Sequence, residues 1–396
     1  MKIKRIQRLY NLGYSPQGEI PICRERGNKS LYIILLIMLG YFVDLNAQTN
    51  TCWSSFRGNA ALTGSTSVNL PNQLKLKWTF PTTDGIKSSP VICDNKIYIG
   101  SNDGFLYALS MEGKLLWKFN AETSIEAAPL LVDEKVIFGS LEGKVFALNK
   151  NTGAKIWTYI SDGQISGAAA WVLNKEKTGK NIIVGSYDFY LHCISSKTGK
   201  VVWKYESDNY INGAPATANQ HAVFGGCDGV LHQVNTNTGI ETSFIEIGTY
   251  IASSAAIHKN KAYFGNYDGV FYCTDLQSKK IMWTDSLGPI IGSPSIVDGS
   301  VVIGSQNKNV YCYNTTSGKL NWKFKTLKKI DGSPIIAKNK VVIGSTDGRL
   351  YIIDLKTGKK LWSYEVGTAL VGSPAIIENT IVIGGMDGNV YFFSFD

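Results

Sequence analysis

From about residue 75 onward, apolar residues come in short runs separated by turn-forming residues. The clearest stretch is Asp331–Trp362, with runs at 332–337, 340–345, 349–355 and 360–364. Asp347-Gly348 and Thr357-Gly358-Lys359 punctuate the last three runs and supply tight-turn chemistry. Runs of this length with hairpin turns between them predict a four-stranded antiparallel meander. The same text recurs along the chain. Trp78, Trp117, Trp157, Trp203, Trp283, Trp322 and Trp362 close successive units, mostly 39 or 40 residues apart. The interval from Trp203 to Trp283 is 80, a double one, with Ser243 where a Trp would fall.

A strand-rich repeat near 40 residues marks a propeller. Aligned on the Trp, first strands are expected to begin near Ser88, Glu126, Ser166, Asn212, Ser253, Gly292, Asp331 and Gly372. The last unit stops after its third strand, Val390–Phe395, while Leu74–Phe80 supplies a Trp-bearing strand with no unit before it. The expected fold is therefore all-β: an eight-bladed β-propeller of four-stranded antiparallel blades, with the N-terminal strand completing the last blade and removing the open edge. The organisation reads as 1–47 export signal, 48–74 lead-in and 75–396 propeller.

The repeat sorts structural positions from candidate sites. The tryptophans are expected to be apolar plugs docking one blade on the next. Small residues at the start of each unit suit inner strands converging on an axis. His192 and His232 stand where other units have Tyr107, Tyr272, Tyr311, Tyr351 and Tyr391, so they read as aromatic-slot substitutes rather than catalytic bases. The residue after the recurring Ile at each inner strand should ring one mouth of the channel. In that ring Lys87, Glu126 and Asp331 break an apolar trend, and together with Ser166 and Asn212 they are the candidate binding residues. A second candidate is the polar insertion at Lys175, Glu176 and Lys177, a loop that could meet a partner.

Charge and cysteines adjust this picture little. The first 47 residues hold seven Lys or Arg against three acids, which accounts for +4 of the net charge of +9. The remainder shows no basic cluster, so no nucleic-acid partner is expected. Residues 31–43 are an apolar run after a basic stretch, followed by Leu45-Asn46-Ala47. This is the order of a cleaved secretory signal, and the run is too short for a stable membrane span. Cys193, Cys273 and Cys312 share one unit position held elsewhere by Ala108, Ala147, Ile352 and Phe392. They read as buried apolar side chains, and no disulfide is expected. The Asp-Gly pairs read as turns rather than calcium loops, because spaced acidic ligands are missing.

The pattern at 354–362, Asp-Leu-Lys-Thr-Gly-Lys-Lys-Leu-Trp, resembles the tryptophan-docking repeat of pyrroloquinoline-quinone-like (PQQ-like) β-propellers. The entry segment Trp53-Ser-Ser-Phe-Arg57-Gly-Asn59, with Thr63-Gly64, is similar to that family's lead-in. The quinoprotein dehydrogenases of the family hold the quinone against two adjacent cysteines, with a calcium ion; this chain has no adjacent cysteine pair. The resemblance therefore implies the BamB-like non-enzymatic branch, with neither PQQ nor calcium. The expected function is an exported scaffold, a monomeric ring binding a protein partner of the cell envelope and serving outer-membrane protein assembly. Two alternatives stay open: an enzyme on the same fold, quinone-dependent or polysaccharide-active, and a glycan-binding module using tyrosines such as Tyr210 and Tyr250.

Overall fold

The computed structural model describes residues 52–395. The expected export signal lies outside them. The described chain forms eight sheets: in six the four strands follow one another in chain order, the last takes its outer strand from the N-terminal side, and the seventh gains a short fifth strand, Ser65–Thr66, parallel to Ile335–Ala337. Blade seven is representative, with strands Ile335–Ala337, Lys340–Gly344, Arg349–Asp354 and Lys360–Glu365. First strands of blades three to seven lie side by side in turn, and Val91–Cys93 lies beside Ala375–Ile377, so the ring closes. Closure uses the expected strand: Lys75–Pro81 pairs antiparallel with Asn389–Ser394, placing Trp78 opposite Phe392 and Phe80 opposite Val390. Among the described residues, no helix is long and apolar enough to cross a membrane.

Inner strands begin three or four residues later than the sequence pattern predicts, at Val91, Leu130, Ala170, Ala216, Ala256, Ser295, Ile335 and Ala375. In blades such as the seventh a Ser-Pro step precedes them, and proline brings no N–H to a ladder. The segment ahead of the proline bonds to neighbouring blades instead. Ser254 N–H donates to Ser293 Oγ at 3.1 Å, Ser293 N–H to Ser333 Oγ at 2.9 Å, and Ser373 N–H to Ser89 Oγ at 2.9 Å. The result is a belt of hydrogen bonds around the axis.

Two contacts lock blade to blade. Six of the seven docking tryptophans lie against a glycine of the next blade: an added Cβ would sit 2.7 Å from Trp78 at Gly113, from Trp117 at Gly153 and from Trp322 at Gly358, while Trp362 meets Phe393 edge-on. The indole N–H of Trp78, Trp117, Trp157, Trp203 and Trp322 donates to a carbonyl of that blade, at Met111, Lys150, Ser196, Thr236 and Leu355. The docking role expected of the tryptophans thus has a defined partner. The second lock is an Ile against a glycine, as where Ile86 meets Gly384 and Ile330 meets Gly304. These isoleucines are buried completely.

The lead-in is more than a connector. Trp53 pairs with Ile92, and the carbonyls of Ser54, Ala60, Ala61, Thr63 and Gly64 accept N–H bonds from Leu131, Thr217, Ile257, Ile296 and Ile336. It thereby ties together the inner strands of six blades and covers one end of the channel. Arg57 anchors it. Its guanidinium is buried and donates to the carbonyls of Pro334 at 2.5 Å and Pro294 at 2.7 Å, and to Ser295 Oγ at 3.1 Å. Burial lowers its pKa to about 9. Gly64 approaches so closely that a Cβ there would lie 2.0 Å from the guanidinium.

One expectation is overturned. Cys52 and Cys93 form a disulfide across a sequence separation of 41. The repeat argument compared equivalent positions on different blades, which are too far apart; Cys52 belongs to the lead-in, which the Trp53–Ile92 pairing carries to within a Cα–Cα distance of 4.3 Å. Cys193, Cys273 and Cys312 are free and buried, as read from the repeat.

Candidate functional site at the channel mouth

Because each mouth position directly follows a buried Ile or Leu that fixes the entrance to an inner strand, the eight side chains point to a common axis. Lys87, Glu126, Ser166, Asn212 and Asp331 line one cavity of about 190 Å³. Phe56 of the lead-in is also part of its wall, so the capped channel is a well rather than a pore. Lys87 Nζ meets Glu126 Oε1 at 2.6 Å between adjacent blades. Asp331 is held by Lys329 at 2.9 Å and by the amide of Gln306 at 2.8 Å. Asn212 donates its amide to Tyr250 OH at 2.5 Å, while its Oδ1 is buried without a partner. The well therefore offers paired charges beside a buried amide.

An aromatic arc flanks the Asn212 side of the mouth. Tyr187 and Tyr210 stack with centroids 4.8 Å apart, Phe189 lies 5.2 Å from Tyr210, and Tyr250 lies 5.9 Å from Tyr267. Tyr210 and Tyr267 expose 42% and 52% of their surface, enough for a planar ligand to stack.

The loop at Lys175, Glu176 and Lys177 is elsewhere. It joins Ala170–Leu173 to Lys180–Gly185, at the far end of the inner strand from Ser166. Asn174 shapes it by accepting from Thr178 N–H at 2.9 Å and Gly179 N–H at 3.0 Å. Lys175 and Lys177 border a groove of about 410 Å³ with Trp171, Leu173 and Asn219. The two candidate sites thus occupy opposite faces of the ring.

The histidines occupy the tyrosine slot. Tyr107, Tyr351 and Tyr391 donate to Asp103, Asp347 and Asp387 at 2.8, 2.8 and 2.6 Å, each the aspartate of its own blade's turn. His192 meets Asp188 at 3.0 Å and His232 meets Asp228 at 2.8 Å in the same way. Glu241 approaches the other ring nitrogen of His232 at 2.8 Å. Burial opposes the charged imidazole, but the two carboxylates outweigh it and raise the pKa of His232. Asp188 is lowered to about 2, with the His192 bond overcoming the burial that would raise it. Among the described residues, no group of three His, Cys, Asp or Glu side chains could hold a metal ion.

Sequence reasoning missed the Arg57 anchor and the Ile–Gly lock. The lock was legible as a glycine at one unit position in all eight blades, including Gly100, Gly225 and Gly344. Nothing in the sequence signalled which carbonyls Arg57 would reach.

Comparison with known proteins gives two family matches. Residues 165–396 match the beta-propeller of the beta-alanine-activating enzyme, and residues 45–178 match the outer membrane protein assembly factor BamB. No curated protein sequence matches the chain. Among solved structures, BamB from Moraxella catarrhalis is 20% identical, with a TM-score of 0.71, over 82% of this chain and 100% of that one. A europium-containing methanol dehydrogenase is 12% identical, with a TM-score of 0.76, over 88% of this chain and 99% of that one. The computationally designed Ika8 protein is 20% identical, with a TM-score of 0.72, over 81% of this chain and 100% of that one. An assembly factor, an enzyme and a designed protein share the architecture, so the likeness fixes fold alone.

Proposed function

This chain belongs to the PQQ-like β-propeller family, and we propose that it is an exported, non-enzymatic scaffold that contacts protein partners of the cell envelope in outer-membrane protein assembly. The observation that carries this reading is the use made of its histidines. His192 and His232 hold the turn aspartates of their own blades, just as tyrosines do elsewhere, so the two buried imidazoles serve the fold, while His221 and His258 lie at surface turns against Asn219 and Asp298. The BamB match and the apolar run at 31–43 support an envelope setting. So does the Cys52–Cys93 disulfide, since such bonds persist in oxidising compartments.

The residues present argue against a quinone site. The disulfide joins Cys52 to Cys93 rather than two adjacent cysteines, and Cys93 ends the inner strand whose beginning faces the mouth. The well of about 190 Å³ is also below the roughly 300 Å³ at which ligand pockets begin. Partner contact is assigned to the face bearing Lys175, Glu176 and Lys177. A photo-crosslinker at position 175 should capture a discrete envelope protein in cells, and replacing 175–177 by Gly-Ser should abolish capture. Equal yields from both chains, or no adduct, would count against the scaffold reading.

The aromatic arc favours a second reading, glycan binding at the mouth. Sugar rings would stack on the exposed rings of Tyr210 and Tyr267. Soluble envelope oligosaccharides should then shift tyrosine fluorescence in the native chain but not in Tyr210→Ala.

A further inference from the structure

The fourth blade breaks the docking rule in a coordinated way. In the position of the docking Trp stands Ser243, opposite Gln233, which is itself opposite Val223. In the fifth blade, Lys279 takes the place that Gly358 holds against Trp322. Lys279 keeps the left-handed backbone of that turn, φ 60° against 70° at Gly358. The glycine is thus replaced only where no indole presses on it. Between these two blades lies a cavity of about 320 Å³ bordered by Val223, Gln233, Ile257, Asn260, Leu276 and Gln277. Leu276 occupies the turn position of Leu355, whose carbonyl accepts the indole N–H of Trp322 at 2.8 Å. Among the described residues no donor reaches the Leu276 carbonyl.

We propose that this cavity is a binding site for an indole ring supplied from outside the chain, either free or as the side chain of a Trp in a partner. The chain itself documents the fit: five tryptophans place an indole in the equivalent socket with its N–H on the equivalent carbonyl. Buried Val223 and Ile257 supply apolar walls, and Leu276 supplies the acceptor. Removing an indole from water and pairing its N–H gives both affinity and orientation. The site is independent of the channel mouth and of the loop at 175–177.

The test uses the full exported chain with two probes, free indole and a Trp-containing peptide amide, followed by saturation-transfer NMR and soaked crystals. The expected result is indole density between Ser243 and Leu276, with naphthalene, which lacks the N–H, binding roughly tenfold more weakly. The double variant Ser243→Trp/Lys279→Gly should fill the socket and abolish binding. Gln233→Trp, which blocks the cavity from the neighbouring strand, serves the same purpose should the double variant not fold. A peptide binding more tightly than indole assigns the site to a partner's Trp; the reverse assigns it to a free heteroaromatic. Absence of density with both probes, or undiminished binding to a filled socket, overturns the proposal. Neither outcome bears on whether loop 175–177 captures an envelope protein.

Discussion

In the fourth blade, Asp228, His232 and Glu241 form a half-hidden hydrogen-bonded chain, and its protonation matters to stability. A raised pKa means that the folded state holds the proton of His232 more tightly than the unfolded chain. That contribution is fully present below about pH 6.5 and fades as pH rises through the folded value. His232→Tyr keeps a donor for Asp228 but does not titrate there. Its urea midpoint should therefore vary less than that of the native chain between about pH 6 and pH 8. Asp188 runs the other way. Its pKa of about 2 stabilises the fold above its ordinary value of 3.8, and the benefit is lost as pH falls through about 2. Lys308 tests a different residue-scale rule. It replaces the glycine of the Asp-Gly turns and holds φ 72°. A side chain in that region costs about 1–2 kcal/mol, of which glycine's own entropy loss cancels about half. Lys308→Gly should stabilise by about 0.5–1 kcal/mol in denaturant melts.

At the scale of the blade, strand order and turns follow from alternation, but the outer strands carry a feature that alternation hides. Every pairing of third and fourth strands shifts register beside the docking position, as between Ala108 and Leu109 or Ile352 and Ile353, and also beside Ser243 in the fourth blade. Bulges raise twist and re-aim side chains. Here the shift leaves neighbours such as Leu115 and Leu116, or Val201 and Val202, exposed together at 45–50%. The docking glycines offer a clean comparison. Gly358 has φ 70° and an added Cβ would lie 2.7 Å from Trp322, whereas Gly367 has φ 86° and open space around it. Gly367→Ala should cost about 0.5–1 kcal/mol, the backbone strain less the chain entropy that alanine saves. Gly358→Ala should cost a further 1–3 kcal/mol, roughly, for displacing the indole. Equal losses would show that Trp322 contributes little to holding blades together.

At the scale of the whole ring, stability depends on two closures far apart in sequence. One is the strand Lys75–Pro81 in the last blade; the other is the lead-in clasped by Arg57 and Cys52–Cys93. Arg57→Ala would strand the buried Pro294 carbonyl and leave the Pro334 carbonyl with Ser295 Oγ alone, with an expected loss of about 2–4 kcal/mol. Chain entropy for a 41-residue loop gives about 4 kcal/mol for the disulfide. Cys52→Ser/Cys93→Ser should fall short of that loss, because the Trp53–Ile92 pairing also holds the lead-in; equilibrium unfolding measures both.

The sequence by itself determined blade number, strand order, the closing strand, the docking tryptophans and the tyrosine slot filled by His192 and His232. These are local periodicities repeated eight times, and repetition lets each unit interpret the others. It also named the residues that ring the mouth, since one position per blade must meet at the axis. What only the tertiary structure decided lies outside the repeat or between its copies. The lead-in's path, the Cys52–Cys93 bond, the Arg57 clasp and the separation of the mouth from loop 175–177 depend on which distant segments become neighbours. The empty socket beside Ser243 combines both: the missing Trp is legible in the spacing, but the cavity it leaves exists only once blade five packs against blade four.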